Sequence, residues 1–237
     1  MRLVAFLLLY HIISLAHSQD LKFGMGITYG TYSMKGLKEF QNETLPALSF
    51  VPAKIVESFP ATIGYDIHFS FSIKKIPIGG YYSFASTGGR IHYKDYSGEI
   101  KFDQIVNGNS FGVFTKWKAN KSSQYNIILG FRTGMTISDL SIDYTIEIKN
   151  QPSETQSNLY KSVNYNISLF LEYEYMLGNF ALYSTLRYEV NVAKSDFNRN
   201  GDDNYFIELN SGENLKADWD GVRITAGVKY MINKSKK

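Results

Sequence analysis

Asp66, His68 and Ser70 are spaced at i, i+2 and i+4. A serine hydroxyl beside an imidazole that a carboxylate orients is the side-chain set of nucleophilic catalysis. On an extended chain, residues two apart lie about 6.5–7 Å apart along the strand, so contact between them depends on side-chain reach. The competing role for the same histidine is membership of a buried charge network. A second set, Asp196, Asn198, Asn200, Asp202 and Asn204, follows D-x-N-x-N-G-x-x-N around Gly201. Such spacing places oxygen ligands around a tight turn and makes Ca2+ the one candidate cofactor. The full pattern wants Glu at its twelfth position, where Ile207 stands and Glu208 follows one residue late. Asn, Asp and Gly also make turns without any metal.

The elements that carry these residues read as strands. In Phe59 to Ile73 the apolar residues Ala61, Ile63, Tyr65, Ile67, Phe69, Phe71 and Ile73 alternate with polar or small ones. A period of two sustained this long exceeds the common strand of about 5–6 residues. It suits a tilted membrane-crossing strand of roughly 9–11 residues. Similar stretches begin at Leu21, Ile78, Phe111, Tyr125, Val163, Phe180 and Val222, which makes eight. Within Tyr125 to Ile148 the apolar parity switches after Ile137, predicting a bulge near Ser138, and Asn107-Gly108-Asn109 reads as another bulge. Connections at 33–58, 87–98, 149–158 and 195–217 read as long loops. Those at 74–77, 119–123 and 177–179 read as short turns. Strict alternation of long and short connections predicts an all-β fold: an eight-stranded antiparallel up-and-down transmembrane β-barrel with long external loops. Strands three to six are overlong and are expected to protrude as a sheet whose edges could receive a partner.

The other parity of these strands carries Lys22, Asp66, His68, Lys116, Arg132, Glu172, Glu174, Arg187, Glu189, Arg223 and Lys229. Long side chains of both signs can pair within a narrow lumen and fill it. A soluble carrier barrel would instead turn its apolar face inward around a ligand. Phe23, Phe71, Trp117, Tyr125, Tyr175, Phe180 and Tyr230 sit beside the short turns, as an interfacial aromatic girdle would.

Composition narrows the address. Residues 1–18 read as a secretory leader, with Arg2, an apolar run from Leu3 to Ala16, and Ala16-His17-Ser18 before the cut. The remaining domain is 19–237, and without Arg2 it holds 24 Lys+Arg against 22 Asp+Glu, a net charge of +2. That balance, with no basic aromatic array, gives no reason to expect a nucleic-acid partner. The chain has 0 cysteines, which excludes disulfides, thiolate metal sites and cysteine lipidation.

The leader, the alternating strands and the final GVRITAGVKYMI segment resemble the small outer-membrane β-barrel proteins of Gram-negative bacteria, the OmpA/OmpX-like, porin-superfamily type widespread in Bacteroidota. Such proteins commonly end on an aromatic residue; here the last aromatic is Tyr230, and Asn233 to Lys237 extend beyond Ile232. The resemblance implies residence in the cell outer membrane, with its lipid and the barrel assembly machinery as partners. It also implies a structural or surface-interaction role without enzymatic activity, with an extracellular partner on the protruding sheet. Two alternatives stand beside it. One is a narrow porin-like channel for small solutes or ions. The other is a lipid-modifying enzyme, because His-x-Ser on a barrel strand resembles outer-membrane phospholipases and lipid A deacylases.

Overall fold

The computed structural model describes residues 21–73, 76–120, 122, 124–199 and 202–232, with backbone alone at 202–204. The leader read at 1–18 lies outside the described residues. In chain order the elements are β1 (Leu21–Gly30), α1 (Lys35–Ala47), β2 (Lys54–Ser58), β3 (Thr62–Ile73), β4 (Ile76–Lys94), β5 (Gly98–Lys118), β6 (Tyr125–Ile148), β7 (Glu154–Leu177), β8 (Phe180–Lys194), β9 (Asn198–Arg199), β10 (Asp202–Phe206) and β11 (Gly221–Ile232).

Eight strands close a ring. The order β7-β6-β5-β4-β3-β1-β11-β8 is antiparallel at every step, and β7 pairs β8 to complete it. Closure satisfies every wall strand on both sides and leaves no open edge at that level. Outward-facing residues form an apolar belt whose rungs cross several strands. One rung joins Phe69, Phe23, Tyr230 and Phe180. Others join Ile78, Thr115, Phe131 and Leu169, or Tyr82, Phe111, Met135 and Tyr165. The belt on β6 runs from Tyr125 to Ile137. At ~3.3 Å per residue and the usual tilt of ~45° that is about 28 Å of height, the dimension of a bilayer's hydrocarbon core.

Above the belt the chemistry of the two faces exchanges. The next outward rung is Ser86, Asn107, Asp139 and Lys161, all polar. At the same height the inward side becomes mainly apolar: Ile91, Phe102, Val106, Leu140 and Ile142 are buried, with Thr87 and Gln104 among them. The bulges expected near Ser138 and at Asn107-Gly108-Asn109 are therefore corrected. Pairing runs in unbroken register from Lys118↔Ile128 to Gly98↔Ile148, and even-numbered residues of β6 face inward on both sides of Ser138. The apolar set changes face because the surroundings change, and the backbone register does not move.

The inward apolar surface needs a partner, and the chain supplies it from the first and last long connections. Met34, Leu37 and Leu48 around α1, with Phe197, Leu209, Leu215, Ala217 and Trp219 from 195–220, pack against Ile91, Phe102, Val106, Leu140 and Tyr160. The loop expected over 33–58 thus contains a helix and a strand. Met34, Leu37, Gln41 and Leu48 recur at helical spacing and are buried along one side. The long loops expected at 87–98 and 149–158 are corrected as well. Strand extends to Lys94 and from Gly98, then to Ile148 and from Glu154, leaving short turns.

The expected free edges of the protruding sheet are partly covered. Beyond Phe84, where β3 stops pairing with β4, β2 takes over opposite Gly89 to His92. Beyond Asn164, where β8 stops pairing with β7, β9 pairs Tyr160 and Lys161.

Candidate functional site: the charged lumen and its cap

Alternation places every second side chain of a wall strand in the lumen, and eight strands leave room for little else. Two ion-pair clusters occupy it. In the lower one, nearer the short turns, Lys116 Nζ lies 2.9 Å from Glu172 Oε1. Lys229 Nζ lies 2.6 Å from both Glu172 Oε1 and Glu174 Oε1. Asn126 Nδ2 also donates to Glu174 at 2.9 Å. These pairs join β5, β7 and β11 across the lumen.

In the upper cluster Asp66 is the centre. Its Oδ2 accepts from Arg132 Nη1 at 2.6 Å and from Arg187 Nη1 at 3.2 Å, and its Oδ1 lies 3.2 Å from His68 Nδ1. Glu189 accepts from Arg223 Nη2 at 2.6 Å, and Arg187 Nε stands 3.9 Å from the same carboxylate. The residues predicted to form a lumen network are thus brought into two groups. Lys22 belongs to neither: it lines a cavity of about 380 Å3 at the short-turn end with Ser70, Lys116, Lys118, Glu174 and Lys229.

Inward aromatic residues separate the charges, and the sequence reading did not single them out. Tyr81, Phe114 and Phe170 form a buried cluster, with the Arg132 guanidinium 4.7 Å from the Tyr81 ring centre. Phe170 lies over Gly130, where a Cβ would stand 2.0 Å from its Cζ, so only glycine lets this ring occupy the lumen. A signal for it existed: Phe114 and Phe170 carry the inward parity among Lys116, Glu172 and Ser168, while Gly130 opens the adjacent strand.

The Asp66-His68-Ser70 set is not assembled for nucleophilic attack. His68 is 1% exposed and turns Nδ1 to Asp66. Its Nε2 faces the Gly24 backbone, where a Cβ would be 2.4 Å away, and its ring lies edge-on to Phe114 and Tyr183 at 5.8 and 5.4 Å. A base walled in on that side has no position for a substrate. Ser70, on the same strand face, lines the lower cavity.

The described parts of the candidate calcium segment lie mainly in two short paired strands. Asn198 and Arg199 form β9, paired to Asp202 and Phe206 of β10. Asp196 accepts from Asn214 Nδ2 at 2.9 Å and lies 3.5 Å from Lys216 Nζ. Asn200 lies outside the described residues, as do the side chains of Asp202 and Asn204.

The cap is fastened to the barrel at the level of the face exchange. Trp219 Nε1 donates to Ser138 Oγ at 2.9 Å, and its ring lies on Gly108, where a Cβ would stand 2.6 Å away. Gly108, expected to mark a bulge, is the seat of this indole. Tyr32 meets Trp219 edge-on at 4.9 Å, and Gln41 Nε2 donates to Glu57 O at 2.8 Å. Outside, Glu99 gathers Lys101, Lys94 and His92 at 2.7 to 2.9 Å. These bonds, that from Lys101 foremost, hold the Glu99 carboxyl down at about 2.

No protein-family model matches the chain, and no curated protein matches it in sequence. Among solved structures, it is similar to the attachment invasion locus protein Ail of Yersinia pestis, at 11% identity over 90% of this chain and 99% of that one, with a TM-score of 0.39. Neisserial surface protein A aligns at 12% identity over 90% and 96%, TM-score 0.38. The outer membrane protein OprG from Pseudomonas aeruginosa aligns at 12% identity over 91% and 97%, TM-score 0.45. Likeness at this level carries nothing about activity; the eight-stranded ring and its belt rest on the chain's own geometry.

Proposed function

We propose that the chain is an outer-membrane β-barrel protein with a structural or surface-interaction role and no enzymatic activity. The observation that carries this reading is the exchange of faces on β4 to β7. Below Ser86, Asn107, Asp139 and Lys161 the wall is largely apolar outside and charged inside; above them it is mainly polar outside, Ile105 and Leu159 excepted, and mainly apolar inside. A wall of that kind suits lipid below and water above. The result is a packed head held outside the membrane on a side-chain-filled stem. Its outward face offers Arg90 with Asp103, the Glu99 cluster and the exposed Tyr96 at a hairpin tip to an extracellular protein. Outer-membrane lipid and the barrel assembly machinery are the partners this location requires. The OmpA/OmpX-like resemblance favours the same reading.

The cavity at the short-turn end gives the narrow-channel alternative one supporting feature, because a small solute could enter there. The Lys116–Glu172–Lys229 pairs and the Arg132–Asp66–Arg187 pairs lie across its path. Planar-bilayer recording decides between the two: the structural reading expects conductance near the bilayer background, and steady single-channel steps would reject it. Heat-modifiable gel mobility of the detergent-extracted protein tests the membrane barrel, which a protein soluble without detergent would overturn. Unchanged outer-membrane lipid profiles on comparing the wild type with Ser70→Ala are expected, and an altered profile would restore the enzyme.

A further inference from the structure

The two lumen clusters differ in charge balance. The lower sets Lys116 and Lys229 against Glu172 and Glu174 and is neutral within its ion pairs, with the half-buried Lys22 lining the cavity beside them. The upper sets Arg132, Arg187 and Arg223 against Asp66 and Glu189, and it carries one positive charge in excess. Its other polar neighbours, Tyr81, Tyr183 and His68, bring no further carboxylate. A lysine could lose its proton to relieve such an excess, but an arginine in a protein stays charged. An uncompensated charge this far from water is costly unless a counter-charge joins it.

The excess can be assigned to Arg187. Arg132 gives both terminal nitrogens to Asp66, and Arg223 is shared between Glu189 Oε1 and Trp219 O. Among the described residues Arg187 makes one hydrogen bond, at 3.2 Å, to a carboxylate oxygen that Arg132 already occupies at 2.6 Å, and its Nε stands 3.9 Å from Glu189 Oε2, beyond hydrogen-bond reach. It is 2% exposed, and among the described residues its Nε and Nη2 have no hydrogen-bond partner. Beside it lies a small cavity of about 10 Å3, with Arg187, Arg223, Ser83 and Tyr32 on its polar side and Phe84, Ala85 and Trp219 on its apolar side. The Ser83 hydroxyl, the Tyr32 hydroxyl and Arg223 Nε are likewise buried without a partner. A space of this size holds one water-sized particle. The polar groups free to face it are two guanidinium groups and the Ser83 and Tyr32 hydroxyls, those of Thr28 and Ser110 being bonded to Thr225 and Thr136, while the carboxylates Asp66 and Glu189 turn toward other nitrogens of the same arginines.

We propose that this cavity is a binding site for a single small monovalent anion, a halide, held by Arg187 and Arg223 with hydroxyl donation from Ser83 and Tyr32. The ion neutralises the upper cluster and makes it, like the lower one, a balanced plug. Bound there, it would stabilise the folded barrel by mass action, since the unfolded chain offers no such enclosure.

The test compares purified full-length protein in bromide and in gluconate at equal ionic strength, gluconate being too large for the cavity. The midpoint of heat-induced unfolding, read by the gel shift between folded and unfolded forms, is expected to rise with bromide and saturate, by roughly 3–6 °C at concentrations well above the dissociation constant. Arg187→Gln, which removes the excess charge, is expected to abolish the difference. Crystals soaked in bromide are expected to show an anomalous peak beside Arg187, which keeps the test decisive even if the variant does not fold. Equal midpoints in the two salts would overturn the site. So would bromide peaks confined to the surface, or a water at Arg187 that bromide does not replace.

Discussion

Arg132 of β6 donates to Asp66 of β3 at 2.6 Å, and these two strands are not neighbours in the wall. The bond crosses the lumen, and Arg187 of β8 reaches the same carboxylate from a third side. One buried acid thus ties together three strands that share no ladder. Removing it strands two guanidinium groups where water cannot reach them. Asp66→Asn is expected to destabilise the barrel by about 3–5 kcal/mol, measured by urea titration of the detergent-refolded protein. A loss below about 1 kcal/mol would mean that the lumen is hydrated enough to screen the charges.

The belt boundary can be located with one residue type. Leu169 is 68% exposed on the outer wall of β7 within the belt, and Leu159 is 53% exposed on the same outer face above the polar rung. Leu169→Arg is expected to cost about 2–4 kcal/mol and Leu159→Arg about 0–1. The readout is refolding into lipid vesicles under denaturant. Equal costs at the two positions would remove the boundary inferred from Ser86, Asn107, Asp139 and Lys161.

Gly130 and Phe170 form a steric pair. Gly130→Ala pushes a methyl group into the Phe170 ring and is expected to cost about 1–3 kcal/mol. In a Phe170→Leu background the same substitution should cost less by 0.5 kcal/mol or more on the order expected for residues in contact. A double-mutant cycle by urea unfolding measures the coupling, and strict additivity would show that the ring does not sit over Gly130.

Glu99 gives the head a pH dependence of its own. Its carboxyl is held at about 2, below an ordinary value of 4.5, chiefly by Lys101 and then by Lys94 and His92. For an acid whose folded value is depressed, the stabilisation is complete above the ordinary value. It is lost as pH falls from about 4.5 toward 2. Hydrogen exchange of the β4–β5 hairpin is expected to accelerate across that window while the lower wall stays protected. Glu99→Gln should exchange faster already at neutral pH and weaken the dependence, leaving the share of Asp95, which Ser97 and then Tyr93 hold at about 2 in the same hairpin.

The cap should melt separately from the barrel. Leu37 is fully buried between α1 and the head core. Leu37→Ala is expected to cost about 2–5 kcal/mol of local stability. Limited proteolysis should then cut within 31–61 sooner, while the heat-modifiable mobility of the barrel persists. Simultaneous loss of both would make cap and barrel one cooperative unit.

The sequence determined the wall. Alternation at Phe59–Ile73 and in seven similar stretches gave the number of strands and which side chains face inward, because a strand's facing is a local property with a period of two. That is why Asp66, Arg132, Glu172 and the other inward charges were identifiable before any pairing was known. The parity switch after Ile137 was equally visible, but its cause was not. A bulge and a change of surroundings leave the same trace in one strand. Only the unbroken register of β5 against β6 and β6 against β7 distinguishes them. Tertiary structure also decided how the charges group, since Asp66 with Arg187, or Lys116 with Glu172, depends on wall positions far apart in sequence. It turned the expected loop at 33–58 into a helix and a strand, because Leu37 and Leu48 gain from order only when 195–220 and the upper wall close around them. And it redirected Asp66, His68 and Ser70: the spacing allowed catalysis, but Gly24, Phe114 and Tyr183 wall in the histidine on the side where a substrate would have to sit.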